Sequence, residues 1–98
     1  MYIIRDIFKL HFGHYKEAKA LLDEAHRNGM LPEAKSARVL TDFTGDAYRL
    51  IFEEAYETLG EYEKSLGDSM GKNEWKSWYE RFKQHVLSSH REILKQVM

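Results

Sequence analysis

Hydrophobic and polar residues alternate from Tyr2 to Phe12, with Tyr2, Ile4, Asp6, Phe8, Leu10 and Phe12 on one side and Ile3, Arg5, Ile7, Lys9 and His11 on the other. A period of two predicts a strand with one apolar and one mixed face. Gly13 interrupts it, and from Tyr15 the apolar positions become Tyr15, Ala18, Leu21, Leu22 and Ala25, the spacing of one helical face. Gly29 suits the left-handed residue after a helix end, and residues 30–35, with the single proline at 32, form a connection. Alternation returns on both sides of Thr44-Gly45-Asp46 and predicts a β-hairpin. With Gly45-Asp46 as a two-residue turn, Asp42 faces Arg49 and Arg38 faces Glu53, and these charge pairs fix the register.

After Tyr56 the helical period resumes. Thr58-Leu59-Gly60-Glu61 has the form of a capping box, in which a hydroxyl and a carboxylate satisfy free helix-end amides. Leu59, Tyr62 and Leu66 follow on one face, to about Ser69. Gly67 and Gly71 weaken the end of this helix, and Asn73 opens another with the stripe Trp75, Trp78, Tyr79, Phe82 and Val86. Ser88-Ser89 interrupts that stripe. Residues 90–98 fit a helix through Ile93, Leu94 and Val97, or a strand through Arg91, Ile93, Lys95 and Val97. The preceding order selects a strand, which completes a βαββαβ ferredoxin-like plan and pairs with the first strand. The expectation is an α+β fold with a four-stranded antiparallel sheet, in one domain over residues 1–98.

Helices cover one face of such a sheet, here the richer apolar one with Ile4, Phe8, Leu10, Val39, Phe43, Tyr48, Leu50 and Phe52. The other face mixes Ile3, Ile7, Leu40, Ile51 and Ala55 with Arg5, Lys9, Arg38, Asp42, Arg49 and Glu53. It is too apolar for water and too charged for a monomer core, so a second sheet laid on it, in a homodimer, is expected.

Composition excludes several classes. Fifteen basic and sixteen acidic residues leave a formal charge of -1, which provides no field for nucleic acid or an anionic membrane. No stretch approaches the ~18 apolar residues of a membrane span, and the start lacks the apolar run of a signal peptide. With no cysteine there is neither a disulfide nor a thiolate site, which suits the cytoplasm. His11-x-x-His14 lacks an acidic or thiolate complement, so no metal and no cofactor is expected.

Candidate chemistry rests on two acids of the helix-covered face, Asp6 between Ile4 and Phe8, and Glu54 between Phe52 and Tyr56. The first and third strands are neighbours in the ferredoxin-like plan, which places both acids beside one cavity. A carboxylate among aromatics has its pKa raised by desolvation and suits general acid or base catalysis. Trp75, Trp78 and Tyr79, with Tyr48 and Tyr56, supply walls for a planar ligand, as well as core.

Leu10-His-Phe-Gly-His-Tyr-Lys-Glu-Ala18 resembles the strand-to-helix junction of the NIPSNAP-like branch of the dimeric α/β-barrel superfamily, with Phe12 in place of the usual proline. Residues 52–62 resemble its strand leading into the second helix, residues 73–79 the segment before its last strand, and residues 90–94 the start of that strand. The resemblance implies a ferredoxin-like subunit whose sheet packs on its partner's to form a dimeric α/β barrel, with a small-molecule cavity between sheet and helices. It further implies relatives among cofactor-independent monooxygenases and haem-degrading enzymes, the latter with an axial histidine near the position of His85. Three readings follow: an oxygenase-type enzyme using Asp6 or Glu54, a non-enzymatic ligand-sensing or interaction module, and a haem-binding protein.

Overall fold

The computed structural model describes residues 1–30, 36–70 and 73–98. The predicted connection at 31–35 and Gly71 lie outside them. In chain order come β1 (Tyr2–Leu10), α1 (Tyr15–Arg27), β2 (Ser36–Thr41), β3 (Arg49–Tyr56), α2 (Leu59–Met70), α3 (Asn73–Phe82), a 3-10 turn (Lys83–His85) and β4 (Val86–Lys95). The strands form one antiparallel sheet in the order β2-β3-β1-β4, the ferredoxin-like arrangement. The carboxyl-terminal segment is a strand, and it begins at Val86 rather than at residue 90. Val86 therefore leaves the aromatic stripe of α3 and pairs with Leu10 across an irregularity in the ladder.

Local chemistry explains the element boundaries. The chain leaves α1 through Gly29 at φ 65, a left-handed conformation that glycine adopts without strain. At the start of α2 the Glu61 amide donates to Thr58 Oγ1 at 3.1 Å, while the Glu61 carboxylate accepts from the Glu57 amide at 3.3 Å. This is the predicted capping box, displaced by one residue on its carboxylate side.

The hairpin has the predicted register with a different turn. Arg38 lies opposite Glu53, and Arg49 donates to Asp42 at 2.7 Å. The ladder nevertheless ends at Thr41 and Leu50, and residues 42–48 form a wide loop in place of a two-residue turn. Side chains have taken over the terminal bonds: Thr41 Oγ1 donates to the Arg49 carbonyl at 2.8 Å, and Asp42 accepts from the Arg49 amide at 3.3 Å. Phe43, expected against the helices, is fully exposed in this loop, and Val39 is 40% exposed on edge strand β2.

The core has two parts. Leu10, Leu22, Leu50, Trp78 and Phe82 form a cluster under α1 and α3, and Ile4, Tyr56 and Tyr62 form a smaller one under α2. Trp78 Nε1 donates to the Leu21 carbonyl at 2.7 Å and so pins α3 to α1. Phe8 meets Phe82 edge to face at 5.2 Å between centroids. No helix among the described residues is long and apolar enough to cross a membrane.

Candidate functional site

The gap between the two core clusters is a cavity of about 520 Å³ on the helix-covered face of the sheet. Phe8 and Phe52 rise from the sheet, Trp75, Trp78, Tyr79 and Phe82 come from α3, and Tyr62 and Leu66 come from α2. Its polar lining includes Asp6, Glu54, Ser89 and Arg91. Strand alternation explains the convergence, because residues 6, 52, 54 and 91 share one face, with Asp6 directly opposite Phe52 and Arg91.

The two carboxyls are held differently. Asp6 accepts from Arg91 Nε at 2.5 Å, a charge-assisted pair in which the acid is mostly buried and the guanidinium half-exposed. Glu54 instead accepts from the Tyr56 hydroxyl at 2.6 Å, and that hydroxyl also meets Ser65 Oγ at 2.9 Å. Burial pushes the Glu54 carboxyl above its ordinary value; the Tyr56 bond pulls the other way, Asp6 adds to the rise and Arg91 opposes it. Desolvation thus outweighs the neutral donor, since a phenol stabilises an anion less than a cation does. Burial, then the bond to Glu54, raises the Tyr56 phenol as well, so it stays protonated as a donor.

Tyr62 is the unusual group. The residue is 7% exposed, and among the described residues its hydroxyl is the one buried side-chain polar atom without a hydrogen-bond partner. Burial raises its pKa also, and the Arg91 guanidinium lies 5.8 Å from its ring centroid. Tyr62 lines the cavity as a residue, while its hydroxyl is closed off from solvent.

Of the residues singled out in the sequence, Asp6, Glu54, Trp75, Trp78 and Tyr79 line this cavity. Tyr48, Tyr56 and His85 do not. Tyr48 sits in the hairpin loop at φ 64 with its ring against Phe12, 4.9 Å between centroids. Tyr56 is buried behind the cavity and orients Glu54. His85, in the 3-10 turn, places Nδ1 3.0 Å from Nδ1 of His14, away from the cavity. Arg91 was the residue missed, although the antiparallel pairing of first and last strands carried the signal: it sets a cation opposite Asp6. Among the described residues no group of three or more His, Asp or Glu side chains is placed to hold a metal ion.

No protein-family model matches the chain, and no curated protein matches it. Solved structures do. A NIPSNAP family protein with unknown function from Agrobacterium tumefaciens superposes with a TM-score of 0.88 at 11% identity, over 98% of this chain and 87% of that one. A second NIPSNAP family protein from the same organism gives 0.83 at 18% identity, over 96% and 90%. An antibiotic biosynthesis monooxygenase gives 0.74 at 10% identity, over the full length of both chains. At these identities the likeness is one of fold: the chain has the ferredoxin-like α+β fold seen in NIPSNAP family proteins and in antibiotic biosynthesis monooxygenases.

Proposed function

We propose that the chain works as a cytoplasmic homodimer that binds a small, planar, mostly apolar molecule of aromatic character between sheet and helices, and that Glu54 transfers a proton to or from it. One observation carries this reading: a carboxyl with a raised pKa faces an aromatic-walled cavity large enough for a ligand. A closed, dry space would instead suit an interaction module. Here Glu54 and the Asp6–Arg91 pair border the cavity. Asp6 is the weaker candidate base, because its carboxylate is already engaged by Arg91 Nε. Its role in this reading is to hold Arg91 at the cavity edge.

The monooxygenase likeness supports a specific reaction class. Glu54 takes the hydroxyl proton of a hydroxylated, electron-rich aromatic, and dioxygen oxidises the resulting aryloxide, one oxygen atom replacing a ring hydrogen to give a quinone and the other leaving as water. The open face of the sheet supports the homodimer: Ile3, Ile7 and Ile51 are only half-buried, Leu40 is 39% exposed and Leu94 42%. The absence of cysteine supports the cytoplasm.

Hydroxylated naphthalenes titrated into the protein test the site, with quenching of Trp75 and Trp78 fluorescence as the signal. Saturable one-to-one binding is expected, with affinity reduced in the cavity-filling variant Leu66→Trp. Equal binding by that variant would remove the cavity from the account. Oxygen uptake that depends on the bound aromatic and disappears in Glu54→Gln supports the enzyme; binding without uptake supports the sensing module. Sedimentation of the wild type at micromolar concentration should give twice the 11.6 kDa chain mass.

A further inference from the structure

Three histidines gather where β1, α1 and the 3-10 turn come together, outside the cavity. His11 is the first residue beyond β1, and its amide donates to the His85 carbonyl at 2.9 Å, so the chain leaving β1 runs beside the turn that precedes β4. Gly13, at φ 83, then redirects the chain, and the His14 amide donates back to the His11 carbonyl at 3.0 Å. His14 stands at the N-cap of α1, where its carbonyl accepts from the Ala18 amide at 3.1 Å, yet its side chain caps nothing. The ring meets His85 instead: the two Nδ1 atoms lie 3.0 Å apart, from residues 71 positions apart in the chain. Both residues are half-buried, whereas His11 is exposed, its ring 5.5 Å from that of His14 between centroids.

A neutral imidazole carries one N–H and one lone pair, so this bond joins an Nδ1–H of one ring to a bare Nδ1 of the other. Moving that hydrogen to Nε2 of its own ring keeps both rings neutral and frees two facing lone pairs, the donors histidine offers to divalent transition metals. A cation about 2.1 Å from each nitrogen, the usual metal–imidazole length, closes an angle of about 90° across the 3.0 Å gap. Neighbouring ligands in square-planar and octahedral geometry meet at that angle. Tetrahedral geometry needs about 3.4 Å between the nitrogens, so Cu²⁺ and Ni²⁺ suit the pair better than Zn²⁺. Each ring turns off the line between the nitrogens to aim its lone pair at the ion. Water supplies the remaining ligands, since neither histidine is fully buried.

We propose that His14 and His85 chelate a divalent transition metal of tetragonal preference, Cu²⁺ or Ni²⁺, and that the ion clasps the start of α1 to the turn before β4. In the sequence His11-x-x-His14 lacks further ligands; the fold supplies one in His85. Two protein ligands leave the ion open positions, in keeping with the absence, among the described residues, of a third acid or histidine placed to join them. Because 71 positions separate the two ligands, unfolding parts them, and a bound ion stabilises the folded chain. With free metal at a hundred times its Kd, the folding equilibrium constant rises about a hundredfold.

Calorimetric titration with Ni²⁺ tests the pair. One ion per chain is expected, with affinity at least about a hundredfold lower in His14→Gln and in His85→Gln, because each loses half of a chelate. Affinity should persist in the double variant His26→Gln/His90→Gln, which removes two exposed histidines elsewhere. Unchanged affinity in either single variant, an equal loss in the double variant, or no binding at millimolar Ni²⁺ overturns the proposal. Should His14→Gln or His85→Gln misfold, wild type decides by NMR: substoichiometric Ni²⁺ should broaden the imidazole signals of His14 and His85 before those of His26 and His90. Uniform broadening of all four overturns the pair as the site.

Discussion

Glu53 and Glu54 are consecutive in β3, and the sheet sends them to opposite faces with opposite consequences. On the open face the guanidiniums of Arg38, then Arg5, hold the Glu53 carboxyl below its ordinary value against the pull of burial. On the covered face burial prevails and Glu54 is pushed up, because its bonded neighbour is a neutral phenol. The same residue type in adjacent positions becomes a fixed anion on one side and a titratable acid on the other. Cations placed by strand register, rather than depth alone, separate a structural carboxylate from one suited to moving protons.

The largest way to disturb this contrast is to remove a wall of the cavity that Glu54 also lines. Phe82 is 1% exposed, packs on Phe8 and stacks on Trp78 at 4.8 Å. Phe82→Ala should cost about 3–5 kcal/mol in urea unfolding and, by admitting water, bring Glu54 back toward its ordinary pKa. Next comes Glu53→Gln, expected to cost about 1–3 kcal/mol at pH 7 by weakening the charge-assisted bonds to both arginines. A depressed folded-state pKa contributes stability above the unfolded value and loses it as pH falls through the folded one. Wild type should therefore lose stability as pH drops below 4.5, and the variant should lose less.

Glu54→Gln has the opposite sign. A raised folded-state pKa contributes stability below the unfolded value of 4.5 and loses it as pH rises through the folded one. Unfolding midpoints followed upward from pH 4.5 should decline less in the variant than in wild type, because a glutamine can keep the Tyr56 bond without ionising. The smallest change is Tyr62→Phe. It deletes a buried hydroxyl that has no partner, so stability should hold or rise by about 1 kcal/mol, with affinity for a hydroxylated aromatic unchanged.

Period and order sufficed for the element sequence, the hairpin register and the shared face of Asp6 and Glu54, since each follows from strand alternation. They failed where side chains replace backbone bonds. Asp42 and Thr41 satisfy Arg49 from outside the ladder, which opens the turn and carries Phe43 into solvent. Val86 fits the helical stripe by spacing, yet ladder pairing with Leu10 claims it. The cavity depends on how far α2 stands from α3, which no periodicity encodes, so the pattern could nominate Trp75, Trp78 and Tyr79 but could not exclude Tyr48. Arg91 was readable once the last strand was laid against the first.

The contrast between the faces is tested most directly by a carbon-detected NMR titration that follows the side-chain carboxyl carbons of Glu53 and Glu54 from pH 2 to 9. Glu54 should titrate above 4.5 and Glu53 below it. Two curves on the same side of that value would contradict the division of the sheet into a charge-matched face and a face that holds a titratable acid at a cavity.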